Sequence, residues 1–310
     1  MAYAITTKKA GRTIAGLISA AAVAWPVSAA DSAAPVPDLG PDFAGVWARM
    51  TFAAEPAVAG PGPLLNRMHR ADGVSDGSKL VGDYTDPILK PAAAEHVKRQ
   101  GEISITGVPF PDPSNQCAPQ SPPYILRQQE IQLLQEKDQV TILYMLDHQI
   151  RRVRLNATHP ARVTPSWMGD SIGHYEAGTL VVDTIGIKLG PVTMADQYGA
   201  PQSEAMHVVE RYRLVDYDTA KRVSDQNEKD YGRADGANGN GVFVDFDDRG
   251  GGLQVQYTVD DPNVYTAPWS ASVTYRRAGS AWQEQVCAEN TREYYANKDT
   301  TIPVAGKPDF

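Results

Sequence analysis

From Gln139 onward the chain is cut into short β-branched and aromatic runs separated by Gly, Asp and Pro. These runs cover 139–146, 149–155, 178–187, 207–215, 242–246, 253–259, 270–275 and 283–287. Strands so short and so regularly punctuated predict a barrel or sandwich, not a parallel sheet wrapped in helices. Asp147-His148 falls between the first two runs as a hairpin or bend, and Glu176-Ala177-Gly178 is a turn that launches the third. One short helix is signalled at 91–100. Pro91 suits a first helical turn, Ala92 to Ala94 favour helix, and Gly101 follows as a stop.

The N-terminus has the three parts of a secretory signal. Lys8, Lys9 and Arg12 supply the positive end, and the apolar run from Ile14 to Trp25 is too short to span a bilayer. Small residues at 27–30 then suit a peptidase. Residues 1–30 are therefore expected to be a cleaved signal peptide, an uncleaved anchor being the alternative, and 31–42 a flexible lead-in. Residues 43–310 are expected to form a single β-rich domain, with an irregular excursion at 53–88 and a loop insertion at 225–252. The expected destination is periplasmic or secreted, without membrane insertion after cleavage.

The chain carries 29 basic and 37 acidic residues, and loss of the leader removes three basic ones, leaving −11. So acidic a chain gains nothing from counterion release, which argues against nucleic acid and anionic membrane surfaces as partners. Cys117 and Cys287 are the two cysteines. Bridging them would remove roughly 5 kcal/mol of unfolded-state entropy in the ideal loop model. Export makes oxidation available and favours the bridge over two separate buried thiols.

Gly45-Val46-Trp47 opens the first expected strand and resembles the Gly-x-Trp of lipocalin-like barrels, where the Trp plugs the closed end. The resemblance implies a closed sheet around a cavity. The expected fold is mainly β: an antiparallel, lipocalin-like barrel or sandwich with one short helix and long Pro/Gly-rich loops.

Strand alternation puts Val181 and Asp183 on one face, with Leu180, Val182 and Thr184 on the other. A carboxylate in so apolar a strand is costly unless paired or near water. It either enters a cavity for acid–base work or caps backbone amides at the strand end. In the same way His207 and Arg211 share a face, opposite Glu210 and Tyr212. His207 beside Arg211 suits polarising an anionic or carbonyl oxygen, and a plain cross-strand ion pair from Arg211 or Glu210 is the alternative. The candidate catalytic set is Asp183 as acid or base, His207 as its partner and Arg211 as oxyanion stabiliser. Candidate substrate-binding residues are His148, Arg152, His174, Tyr175, Glu176, Glu210 and Trp269.

No metal is expected: there is no His-x-His or His-x₃-His pair. The stretch 236–247 approaches a calcium loop but has Gly236 where the leading Asp belongs. Ser171 mimics a Gly-x-Ser-x-Gly nucleophile, yet a strand follows it where that motif needs a helix. Dinucleotide and phosphate-loop signatures are missing from the sequence, so no cofactor is expected.

Three longer motifs stand out. They are Gly-Asp-Ser-Ile-Gly-His-Tyr-Glu-x-Gly-Thr-Leu-Val-Val-Asp-Thr at 169–184, His-Val-Val-Glu-Arg-Tyr-Arg at 207–213 and Asp-Asp-Pro-x-x-Tyr-x-x-Pro-Trp at 260–269. This set resembles a large family of exported bacterial proteins, mostly described as hypothetical, over roughly residues 117–290. The resemblance implies export, a shared β domain and a common task for the polar motif residues. This chain departs from it in the longer loop at 225–252. The expected function is an exported, cofactor-independent enzyme using acid–base chemistry (lyase, isomerase or hydrolase) on a small organic molecule in the barrel. A non-enzymatic lipocalin-like carrier is the alternative; it needs the barrel but no perturbed ionisable group.

Overall fold

The computed structural model describes residues 40–57, 60–127, 130–232, 244–279 and 286–287. The expected signal peptide, most of the lead-in and of the strand at 283–287, and the calcium-loop-like stretch up to 243 lie outside the described residues. The described residues all belong to one unit.

Nine strands close into a barrel. β1 (Gly45–Ala48) pairs with β3 (Glu130–Gln135) on one edge and with β10 (Trp269–Arg277) on the other. Between them run β4 (Gln139–Tyr144), β5 (Gln149–Leu155), β6 (Asp170–Glu176), β7 (Thr179–Ile185), β8 (His207–Val215) and β9 (Gly252–Asp260), in chain order. The two-residue β2 (Glu55–Pro56) takes the rest of the β10 edge. The expected all-antiparallel sheet is corrected at one seam, because β5 and β6 are parallel. Here the connection 156–169 carries the chain back to the end where β5 began; the other neighbours run antiparallel. The β6–β7 hairpin turns at Ala177 and Gly178, both at positive φ (46° and 78°), the two-residue geometry that suits strand twist.

Trp47 and Arg277 explain the Gly-x-Trp motif. Trp47 is 1 % exposed and donates Nε1–H to the Phe43 carbonyl at 2.8 Å. The Arg277 guanidinium lies 3.8 Å from the centre of the Trp47 ring. Gly45 sits at φ +117°, where an added Cβ would come within 2.5 Å of Arg277 Nη1. Phe43 stacks on Tyr175 at 6.4 Å, so this end of the barrel is plugged.

The opposite end is roofed by three pieces. Helix α1 (Pro91–Ser104) buries Ala93, Val97 and Gly101. It runs past the expected stop because Gly101 packs on Val81, whose Cγ1 would lie 2.9 Å from a Cβ there. The irregular 60–90 segment is ordered by buried Asn66, which donates to Ser75 Oγ and the Asp76 carbonyl at 3.0 Å each. The β7–β8 connection supplies the third piece. Along β9 and β10 lies α2 (Tyr217–Tyr231), overlapping the loop expected at 225–252. Asp216 caps it by accepting the Thr219 N–H at 2.8 Å.

Cys117 and Cys287, 170 positions apart, are joined by a disulfide with Cα atoms 5.4 Å apart. Among the described residues no helix is long and apolar enough to cross a membrane.

Candidate functional site at the barrel mouth

The barrel interior is filled. Ile131, Leu133, Val140, Ile142, Val182, Val208 and Val255 pack across it in one cluster with Tyr144, Tyr212 and Tyr275. At its centre Arg151 on β5 reaches across to Glu210 on β8, both fully buried. Arg151 Nη1 donates to Glu210 Oε1 at 2.9 Å, and Nη2 donates to Oε2. Its remaining donors meet Ser171 Oγ at 3.0 Å and Thr184 Oγ1 at 2.6 Å, and the Tyr212 hydroxyl donates to Glu210 Oε1 at 3.1 Å. Burial works against the charge on Arg151, but Glu210 together with Tyr144 and Tyr212 outweighs it, so the guanidinium stays protonated. Glu210, expected to bind substrate, is instead half of an internal cross-link.

Because Thr184 and Glu210 point inward, the alternate residues Asp183, His207 and Arg211 point outward. The expectation that they meet in a cavity is corrected. Alternation assigned the two faces, and the inward one is the face carrying Leu180, Val182 and Thr184. Asp183 and His207 do meet, with His207 Nε2 2.9 Å from Asp183 Oδ1, and their side chains are 37 % and 39 % exposed. His159, from the β5–β6 connection, joins them. Its Nε2 is 3.0 Å from the same Asp183 oxygen and its Nδ1 is 2.6 Å from Asp170 Oδ2, which Arg154 also holds at 2.8 Å. Arg211 is drawn away to Glu176 at 3.2 Å. This outer network latches the connection 156–169 onto β6 and β7.

The other expected residues scatter. Arg152 is exposed on the outer wall, one position from the buried Arg151. His148 sits in the β4–β5 corner at φ 47°, and His174 is exposed, 3.5 Å from Glu176. Tyr175 helps plug the closed end. Of these residues only Trp269 lines the cleft at the barrel mouth.

That cleft lies at the open mouth, spanning about 480 Å³ when the open solvent at its entrance is included. Its floor is the inward face of the last two strands: Tyr257, Trp269 and Val273. Tyr257 and Trp269 meet edge to face at 5.9 Å. Its walls come from Phe52, Tyr124, Tyr198 and, at the end of α2, Tyr231. Two charged side chains complete it, Arg127 and Asp196. Arg127 Nη1 donates to the Tyr124 hydroxyl, and its guanidinium lies 4.8 Å from the Tyr124 ring centre and 5.1 Å from that of Phe52. Asp196 Oδ1 accepts the backbone N–H groups of Tyr198 at 2.9 Å and Ala200 at 3.0 Å. Burial nonetheless pushes its carboxyl up to about 6. Burial also pushes the Tyr124 hydroxyl up to about 12. Two wider depressions, beside the disulfide and beside α1, are more open to solvent.

Sequence reasoning passed over Arg127 and Asp196. Asp196-Gln197-Tyr198-Gly199 carries a usable signal, an Asx turn closing on a glycine at φ +82°. Tyr124 to Arg127 follows the proline-rich 107–123 stretch without any periodic cue. Among the described residues no group of three or more His, Cys, Asp or Glu is placed to hold a metal ion. Comparison with protein-family models, curated proteins and solved structures gives no match.

Proposed function

We propose that this chain is an exported small-molecule-binding barrel that seats a compact, ring-bearing ligand at its mouth. The observation that carries the reading is the aromatic cleft: six aromatic side chains with one carboxylate and one guanidinium gathered around a single opening. The leader motif, the Cys117–Cys287 bridge and the lack of a membrane-crossing helix among the described residues are compatible with export. Acid–base catalysis would have to run on the outer wall at His207 and Asp183, and neither residue lines the three clefts described above.

Magnitude sets the expected affinity. Burying two fused or linked rings removes about 300 Å² from water, which contributes roughly 7 kcal/mol. Ordering costs reduce that, so dissociation constants on the order of 10–100 μM are expected for a simple two-ring probe. The test uses N-phenyl-1-naphthylamine, whose emission rises in apolar surroundings. Saturable binding is expected in the native protein and at least about tenfold weaker binding in Ala54→Trp, since Ala54 lines the cleft and an indole there would fill it. Binding that Ala54→Trp leaves untouched puts the probe elsewhere and ends the reading.

A further inference from the structure

We infer that the ligand of this cleft is an uncharged aromatic compound, one whose polar groups are hydroxyls or amides and not carboxylates or amines. The inference rests on the cleft being the binding site, and it names the chemical class that site takes.

The two charged side chains of the cleft already answer each other. Burial raises the Asp196 carboxyl, and the backbone N–H groups of Ala200 and Tyr198, then the Arg127 guanidinium, oppose that rise. Arg127 is further occupied by the rings of Phe52 and Tyr124, whose centres lie 5.1 and 4.8 Å away, and by the Tyr124 hydroxyl. The rest of the lining carries no charge. Burial raises the hydroxyls of Tyr124, Tyr198, Tyr231 and Tyr257, so all four stay protonated near neutral pH. Gln197 adds a neutral amide.

Such a lining holds one positive and one negative side chain and therefore no net charge. An anionic ligand would reach Arg127 only in competition with Asp196, and would bring a like charge against that carboxylate. A cationic ligand would compete for Asp196 and approach the guanidinium with its own sign. Either ion also surrenders its water among six aromatic side chains, a cost that only a free counter-charge offsets. An uncharged ring disturbs neither partner. It packs against Tyr198, Tyr257 and Trp269, and a hydroxyl or amide on it suits the neutral tyrosine hydroxyls and Gln197.

The experiment is displacement of N-phenyl-1-naphthylamine from the native protein by naphthalene-1-acetamide, naphthalene-1-acetate and 2-(1-naphthyl)ethylamine. It is run at about pH 7.5, where carboxylates and amines are both charged. The three compounds share one ring system and differ in charge. The acetamide is expected to displace the dye at concentrations at least about tenfold lower than either ion, the range of one unanswered charge. Asp196→Asn keeps an acceptor for the two amides but removes the charge that acts on Arg127, so the acetate should gain about tenfold on the acetamide. If either ion matches the acetamide on the native protein, if Asp196→Asn leaves their ratio unchanged, or if none of the three displaces a dye that Ala54→Trp excludes, the ligand class is wrong and the site stands. If the dye ignores Ala54→Trp, the site itself is wrong. The comparison among ligands on the native protein needs no variant, so a poorly folding mutant does not blunt it.

Discussion

Replacing Arg151 by Met should be among the most damaging single changes this barrel can suffer. The substitution fills much of the same volume but leaves the Glu210 carboxylate fully buried with the Tyr212 hydroxyl as its remaining donor. It also strips Ser171 and Thr184 of the guanidinium they meet at 3.0 and 2.6 Å. Breaking one side of a buried pair costs about 3–5 kcal/mol, a large share of the roughly 5–15 kcal/mol that holds an ordinary domain together. At about 2–4 °C per kcal/mol for a chain of this size, the melting temperature should fall by roughly 6–20 °C. Glu210→Met should do comparable harm from the other side, leaving the guanidinium buried without its carboxylate. The double variant Arg151→Met/Glu210→Met removes both charges, and Ser171 and Thr184 still bond each other at 3.0 Å. It should therefore be clearly more stable than the sum of the single changes, with a coupling of about 2 kcal/mol or more. Urea denaturation followed by tryptophan emission, with the disulfide intact, measures all four proteins. Single changes costing under about 1 kcal/mol, or a double that simply adds them, would refute the claim that this pair cross-links β5 to β8.

Two further predictions concern pH. Burial lowers the His159 value, but hydrogen bonds to Asp170 and Asp183 outweigh it and the net shift is upward. A value raised on folding means that stability from His159 is fully present below its unfolded value of about 6.5 and is lost as pH rises through the folded one. His159→Gln should then cost about 1–2 kcal/mol at pH 5.5 and little at pH 9, the usual worth of a charged hydrogen bond after partial exposure; an equal cost at both ends of the range contradicts it. Glu130 behaves in the opposite sense: it is fully buried, neither oxygen is hydrogen-bonded, and burial pushes its carboxyl up to about 7. Ionising it is easier in the unfolded chain, so native stability falls between about pH 4.5 and 7 and levels off above, by about 3 kcal/mol in all. Glu130→Gln should match the native protein near pH 4 and exceed it by that amount at pH 8, and a pH-independent difference in urea midpoints would overturn the assignment.

The barrel was legible because strand signals are local. Thr179 to Thr184 carries its β-branched alternation and its launching turn within a few residues, and β7 forms where they point. The same holds for β8, where His207 and Arg211 share a face as alternation requires. Alternation does not say which face goes in. That choice depends on Arg151, whose partner Glu210 lies 59 positions away, and no short-range pattern connects the two. One residue of parity therefore separated Arg152, which was expected to bind, from Arg151, which organises the centre. The parallel β5–β6 seam was equally hidden, since it depends on the path of the 156–169 connection. Helix α2 was missed for a different reason: Asp216 is a sound cap, but Tyr217–Tyr231 is so polar that it reads as loop until β9 and β10 give it a wall.

The same parity decides where a ligand can sit. A ring of nine strands has room inside for side chains or for a small ligand. Here four tyrosines, at 144, 212, 257 and 275, and the Arg151–Glu210 pair take that room. What remains is the mouth, where Tyr257 and Trp269 present a floor fixed by the strands while the walls come from loops. Floor and walls are held by different means: the floor by the barrel, and the wall at Asp196 by the amides of Tyr198 and Ala200. Stability and selectivity are thus written in separate residues, and the loops can change what binds without disturbing the sheet beneath them. The outward Asp183–His207–His159 chain fits this division on the stability side. It ties a long connection to the wall, and its carboxylates and imidazoles are already satisfied by one another.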